Sequence, residues 1–572
     1  MLIISVNCIF VMVIRKNISA MKHISPLSLV VLSGILSVTS ACSENDDPVI
    51  AVFSDFSYHV TMPDGDEVAS PDWAPVLPGC YPDPSVVRVD DDYYMVNSSF
   101  AFFPGVPIWH STDLRNWERL GYVLNRREQL DLPDSLRISG GIYAPDISYN
   151  PANETFYMIT TLVDNGGTFY VTTKDPKEGR WSDPVWLPEV GGIDPSILFD
   201  TDGKAYIVNN DSPEGEPLYD GHRAIHIHDF DWENNRVTGK PEMIVNGGVN
   251  LAEKPIWIEG PHLYNIGGRY FLMCAEGGTG PQHSEVIFES TGPKGPFKPC
   301  RINPILTQRD LDPSRPDPVT CTGHADLVED KDGKWWAVYL GVRPYDDKGN
   351  DIMGRETFMH RVEWKSGQPV ITGRDEVLSG RPQREFESEL WADGKLSPYA
   401  FFVRNPQGDF YGISDEGGLN LVASEIALAD RKSPSAIGMW ATEKAFEVET
   451  TLDEFSPVTS ADIAGLLLFQ DDECNVVFGK TVNSYGDNVV RVIARSKKDR
   501  REEFEAPLAD ASSPLKLRIT ADGKGSYSFA FAEGESEWQN MSRTVDASML
   551  STATAGNFTG TMVGVYASSA EK

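Results

Sequence analysis

The stretch Gly192-Ile193-Asp194-Pro195-Ser196-Ile197-Leu198-Phe199-Asp200-Thr201-Asp202-Gly203-Lys204-Ala205-Tyr206 contains a short apolar strand, a tight turn and a second strand ending in an aromatic residue. Asp194 opens the first strand. The turn and aromatic strand recur as Asp91-Asp92-Tyr93-Tyr94, Glu154-Thr155-Phe156-Tyr157, Gly268-Arg269-Tyr270-Phe271 and Gly333-Lys334-Trp335-Trp336. From one closing aromatic to the next the intervals are 63, 49, 65 and 65 residues. Eleven or twelve residues upstream of these aromatics stand Asp83, Asp146, Asp194, Glu259 and His324. A repeating hairpin with a period of roughly 50 to 65 residues fits the four-stranded blade of a β-propeller. Five blades are expected over residues 75 to 370.

The first strand of each blade lines the central channel of a propeller, so equivalent positions on five inner strands converge on one axis. An acidic residue in a turn is usually solvated. Five ionisable side chains in register instead point to a site, expected to gather three Asp, one Glu and one His in one funnel. Crowded carboxylates push some pKa values up and leave others ionised, which separates an acid from a base.

The motifs Tyr81-Pro82-Asp83-Pro84-Ser85, Gly192-Ile193-Asp194-Pro195-Ser196 and Glu259-Gly260-Pro261-His262 resemble those of glycoside hydrolase family 43, inverting β-xylosidases and α-L-arabinofuranosidases on a five-bladed propeller. So do Phe103-Pro104-Gly105-Val106-Pro107-Ile108, Ala275-Glu276-Gly277-Gly278-Thr279-Gly280, Thr322-Gly323-His324-Ala325-Asp326 and Gly354-Arg355-Glu356-Thr357-Phe358, in family order over nearly 300 residues.

The resemblance implies that Asp83 is the general base, Glu259 the general acid and Asp194 the residue that tunes and orients the acid. Inversion needs an ionised carboxylate to activate water on one face of the sugar and a protonated one at the leaving oxygen. A carboxylate beside Glu259 would raise its pKa by like-charge repulsion. The resemblance also implies that Phe100, Tyr143, His283 and Arg355 contact substrate, with the Arg355 fork suited to bidentate contacts. Tyr143 stands where relatives commonly carry tryptophan. His324 matches a histidine on the propeller axis that holds water or a calcium ion. No cofactor is required; a structural calcium on the axis is the ion the resemblance implies. Asp146 is read as structural. Trp109 and Trp257 fit either a sugar-facing wall or blade packing, since sugar rings offer apolar C–H faces to aromatics.

Composition narrows the partners. With 50 Lys+Arg against 84 Asp+Glu, the 572-residue chain carries a net charge of −34, which argues against nucleic-acid binding. The expected partner is an oligosaccharide. Beyond Gly380, short alternating strands such as Leu515-Lys516-Leu517-Arg518-Ile519 indicate an antiparallel β-sandwich. Ala464-Gly465-Leu466-Leu467-Leu468-Phe469 and the closing Phe558-Thr559-Gly560 segment resemble the concanavalin-like domain of the same xylosidase group. The expected order is therefore all-β: a leader at 1–42, a linker at 43–74, the catalytic propeller at 75–380 and the sandwich at 381–572.

At the N-terminus, Met21-Lys22-His23, an apolar run from Pro26 to Val38, and Thr39-Ser40-Ala41-Cys42 resemble a bacterial lipoprotein signal. Export is expected, to the outer membrane or cell surface through a lipid on Cys42, or to the periplasm, with membrane contact through that lipid alone. The five cysteines beyond the leader lack metal-site spacing and are read as buried small hydrophobes. The resulting expectation is an exo-acting hydrolase that removes terminal xylose or arabinose from hemicellulose oligosaccharides. The alternative is a sugar-binding propeller without catalysis.

Overall fold

A computed structural model describes residues 48–60, 75–312, 314–374, 378, 386–497 and 500–570. The leader, Cys42 and the expected boundary at 380 lie outside the described residues.

Five four-stranded antiparallel sheets follow one another. They begin with the inner strands Ser85–Val89, Gly141–Asn150, Ile193–Phe199, Glu259–Ile266 and Thr320–Glu329. These are the five expected blades. Four of the five aromatics that mark the repeat are core residues, with Tyr94, Tyr157, Tyr206 and Phe271 at most 4% exposed, and the fifth, Trp336, is partly buried. Tyr157 packs against Phe199 of the next blade with ring centroids 4.9 Å apart. The periodic aromatic is therefore the wedge that fills the gap between twisted blades, which is why it recurs.

The second body is a sandwich. Its nine-stranded sheet carries Ile50–Val60 beside Ala445–Glu454, and its six-stranded sheet carries Ala436–Trp440, Met562–Ser568 and Ile463–Phe469 in adjacent positions. One apolar core fills the space between, with Phe53, Val448, Leu466, Phe478 and Val565 among its fully buried members.

The strand Ile50–Val60 corrects the expectation of a linker at 43–74. It pairs with Ala445–Glu454 on one side and with Leu419–Val422 on the other. Its alternation of Ala51, Phe53, Phe56, Tyr58 and Val60 supplies the sandwich core. The propeller is thus inserted between one strand of the sandwich and the rest.

The two bodies share a buried interface. Leu77, Tyr81 and Trp109 of the first blade pack with Leu467, Met562 and Tyr566 of the sandwich in one cluster. Two buried arginines cross it. Arg343 reaches Glu443, and Arg404 donates to the Leu136 carbonyl and to Asp472.

Candidate active site

Strand register shows how the inner strands aim their side chains. Ser85, Asp146, Ser196, His262 and Asp326 each pair with the residue two places beyond the aromatic mark, namely Val96, Ile159, Val208, Met273 and Val338. These five are structurally equivalent and form one ring in the channel. Two residues upstream lie Asp83, Ala144, Asp194, Gly260 and His324, a second ring nearer the mouth. Asp146 therefore does not join Asp83 and Asp194 as expected. Counting from the aromatics placed it two residues out of register, and Ala144 occupies the equivalent place. Glu259 is also one residue out of register: it precedes Gly260 and pairs with Ala275 across an irregular stretch that ends at His262.

These irregularities aim the side chains. Asp83, Asp194 and His324 have φ of 53°, 56° and 53°, in the left-handed region that side-chained residues avoid, and Gly260 has φ of 55°. Breaks in strand register fall between Tyr143 and Asp146, Ile193 and Ser196, and Glu259 and His262. Bulges re-aim side chains, and such strain persists only where the surroundings enforce it.

Asp83 is 6% exposed. Its Oδ2 accepts from Ser98 Oγ at 2.6 Å and its Oδ1 from Arg355 Nη1 at 3.1 Å, while His324 Nδ1 stands 3.3 Å away. Ser98 Oγ in turn accepts from the Ala144 amide at 2.7 Å. Burial works to raise the Asp83 pKa, but Arg355, His324 and the Ser98 bond outweigh it and hold the carboxyl below its usual range. Burial pushes His324 down to about 4, so it is neutral at neutral pH and meets Asp83 as a dipole, not as an ion pair.

Glu259 and Asp194 behave in the opposite way. Burial, followed by the charges of Asp194 and Asp83, raises the Glu259 pKa well above its usual value. Burial and the charge of Asp83 raise Asp194 to about 7, against the pull of a hydrogen bond from the Gly260 amide at 3.0 Å. That bond ties Asp194 to the residue following Glu259. The site thus holds one carboxylate that is ionised and a pair that is held protonated longer, which is the polarisation that acid/base chemistry needs.

Around these groups, Arg355 lies with its Cζ 5.7 Å from the Phe100 ring centroid, and Phe100 meets Tyr143 edge-on at 5.8 Å. Tyr143 is anchored by its hydroxyl, which donates to the Ser139 carbonyl at 2.5 Å. His283 Nδ1 is 2.9 Å from the Cys321 carbonyl. Its Nε2 is buried with no hydrogen-bond partner, as is Nε of Arg355. Trp109 is buried under Arg119 and Tyr81 at the junction of the first blade with the sandwich, so it is packing and not a sugar-facing wall. Trp257 is 40% exposed and is not.

Phe558, on the sandwich loop, was not among the expected site residues. Its ring centroid is 5.7 Å from Arg355 Cζ, on the same guanidinium that faces Phe100. The loop approaches closely: a Cβ at Gly354 would lie 2.8 Å from the Gly560 amide nitrogen, so bare backbone is needed there. A cleft of about 510 Å³ runs outward from Arg355 and Phe558 between Gly280 and Asp351. The Phe558-Thr559-Gly560 motif was visible in the sequence, but nothing local says that it reaches the other domain.

His324 was the expected ion ligand. Among the described residues, the group that brings three metal-ligating atoms within 4.8 Å of one another is Asp146, His262 and Asp326, in the deeper ring. His324 is not part of it. The carboxylates of that group are already engaged: Asp326 accepts from Ser85 Oγ, the Val86 and Leu327 amides and Tyr264 OH, and Asp146 from Ser148 and the Ile197 amide. Calcium takes six to eight oxygen ligands. A donor set of one imidazole and two carboxylates with few free lone pairs does not fit calcium. Chelation is expected to leave both the hydrolytic rate and the melting temperature unchanged, as read by activity and thermal scans with and without EDTA.

The family model for glycosyl hydrolases family 43 matches residues 73–369, and that for the beta xylosidase C-terminal concanavalin A-like domain matches residues 388–572. The chain belongs to glycosyl hydrolases family 43. This family 43 enzyme is 36% identical over 520 residues to a xylosidase/arabinosidase of Butyrivibrio fibrisolvens, covering 86% of this chain and 95% of that one. It is 34% identical over 513 residues to a non-reducing end alpha-L-arabinofuranosidase of Bacteroides ovatus, covering 86% and 90%. A family 43 crystal structure retrieved from a capybara gut metagenome superimposes with a TM-score of 0.82 at 40% identity, over 91% of this chain and 99% of that one. As a family 43 member the chain is a glycoside hydrolase, and its propeller and sandwich are the fold of its relatives.

Proposed function

We propose that this hydrolase removes terminal xylose or arabinose from hemicellulose oligosaccharides with inversion of configuration. The observation that carries the reading is the opposed ionisation of Asp83 and Glu259 in one buried site. In this reading Asp83 takes a proton from water as the water oxygen attacks the anomeric carbon. Glu259 gives its proton to the departing glycosidic oxygen as the carbon–oxygen bond breaks. Asp194 keeps Glu259 protonated, Arg355 and His283 hold sugar hydroxyls, and Phe100 and Tyr143 wall the ring. Phe558 narrows the pocket from the second domain, which suits a chain end.

The names of the B. fibrisolvens and B. ovatus relatives support both sugars. The lipoprotein-like leader supports export to the cell surface, where such oligosaccharides are met.

The test is release of nitrophenol from aryl β-D-xylopyranoside and aryl α-L-arabinofuranoside, with the anomer of the first-formed sugar read by proton NMR. Release with inversion supports the reading. Retention, or binding of both sugars without turnover, would sink it.

The role given to Asp194 has its own signature. Its negative charge raises Glu259, so Asp194→Asn lowers the Glu259 pKa. The alkaline limb of kcat/KM reports loss of the acid's proton, and it is therefore expected to move to lower pH. The acid limb, set by Asp83, is expected to move little. A pH–rate profile in which the alkaline limb stays in place would remove Asp194 from this role.

A further inference from the structure

The rim beside Glu259 carries a feature that the chemistry above does not use. Two residues before Glu259, Trp257 is 40% exposed, as is Ile256, and Leu218 in the neighbouring loop is 66% exposed. Large apolar side chains that face solvent together mark an interaction surface.

This surface is rigid. The Trp257 amide donates to the Gly221 carbonyl at 2.8 Å, and the Ile256 carbonyl accepts from the Gly277 amide at 2.9 Å. A Cβ at Gly221 would lie 2.9 Å from Ile256 Cβ, so the Leu218 loop closes tightly against it. Trp257 itself is held at a φ of 50°. An exposed tryptophan fixed in a conformation it disfavours implies that its direction matters.

Its direction is set by Arg223. That guanidinium lies 5.4 Å from the indole centroid and is clamped on Asn210 Oδ1 through Nε at 2.9 Å and Nη2 at 2.7 Å. Asn210 also donates to the Ile258 carbonyl, between Trp257 and Glu259. The positive charge of Arg223 acts on both Asp194 and Glu259. Arg223 is thus linked through Asn210 to the residue between Trp257 and Glu259, and the platform adjoins the acid.

We propose that Trp257, edged by Ile256 and Leu218, is the platform on which the leaving-group sugar of an oligosaccharide stacks. The inference rests on the reading of Glu259 as the acid, because the acid stands beside the departing oxygen and the platform stands beside the acid. The ligand is a neutral pyranose whose apolar C–H face lies on the indole face that Arg223 leaves open, with its hydroxyls toward solvent.

The test compares wild type, Trp257→Ala and Trp257→Phe on two substrates with the same cleaved sugar. One is a short oligosaccharide; the other is the glycosyl fluoride, whose leaving group has no ring to stack. Trp257→Ala is expected to lower kcat/KM about 10-fold or more on the oligosaccharide and less than about twofold on the fluoride. Trp257→Phe is expected to recover most of the loss. Equal losses on both substrates would mean that the side chain supports the Glu259 strand only, and an undiminished rate on the oligosaccharide would mean that nothing stacks there; either overturns the platform. The underlying reading fails separately, through a Glu259→Ala variant that hydrolyses the oligosaccharide at the wild-type rate.

Discussion

On an unactivated oligosaccharide, Asp83→Asn is expected to lower kcat by about 10³-fold or more, with no substrate restoring the rate. Asparagine keeps the size of the side chain and still meets Ser98 and Arg355, so the fold is left alone. What it removes is the ionised oxygen that accepts the proton of the attacking water, and every substrate needs that step. Glu259→Ala is expected to lose as much on the oligosaccharide but to regain most of it on a substrate with a leaving group such as dinitrophenolate, which departs without a proton. The contrast assigns the two roles separately, because misfolding would depress both substrates together. It is read by steady-state kinetics of both variants on both substrates. Recovery of Asp83→Asn on the activated substrate, or equal losses for Glu259→Ala, would reverse or dissolve the assignment.

Arg343→Met is expected to destabilise the folded protein by about 3 to 5 kcal/mol, measured by chemical denaturation. Arg343 is fully buried. It donates to Glu356 through Nε at 2.6 Å and Nη2 at 2.8 Å, and to both carboxylate oxygens of Glu443 through Nη1 at 2.8 and 2.9 Å. Burial opposes its charge, but the two carboxylates outweigh burial and hold it protonated. Removing the guanidinium takes from two buried carboxylates the cation that is hydrogen-bonded to both, and that is what makes the loss large. Adding Glu356→Gln and Glu443→Leu to Arg343→Met is expected to recover much of it, because no buried charge then remains. The single variant is also expected to lose activity. Glu356 accepts from the Gly79 amide at 3.0 Å and neighbours both Arg355 and Thr357, whose hydroxyl holds the Tyr81 carbonyl at 2.5 Å. The loop from Gly79 to Asp83 hangs from that strand. A triple variant as unstable as the single one would mean that Arg343 acts by packing and not by charge.

The five blades were legible because each blade repeats one physical problem, filling the wedge between twisted sheets, and solves it with an aromatic at a fixed interval. Asp83, Asp194 and Glu259 were legible because short motifs around them resemble family motifs in order. The layering of the channel was not. Counting back from the aromatics cannot detect bulges, and these displace Glu259 by one residue while leaving Asp146 in the deeper ring. Phe558 and Glu443 were illegible for a different reason: their partners lie about 200 and 100 residues away in sequence, and no local pattern records a contact of that range. The strand Ile50–Val60 had a readable alternation of apolar residues, but its isolation before the propeller made a linker the simpler reading.

That first strand also sets a schedule for the newborn chain. The Thr451 amide bonds to Asp55 across 396 residues of sequence, so the strand leaves the ribosome long before its partners exist. At about 5 to 20 residues per second, the interval is on the order of 20 to 80 s. For most of it, until residues 386–388 and 419–422 are made, a strand with an apolar face and two unpaired edges must wait while the propeller folds. The sandwich closes after the propeller is made, around a strand that precedes it. A chain arrested before residue 386 therefore carries all five blades and a strand with neither neighbour, the species that a chaperone would be expected to hold.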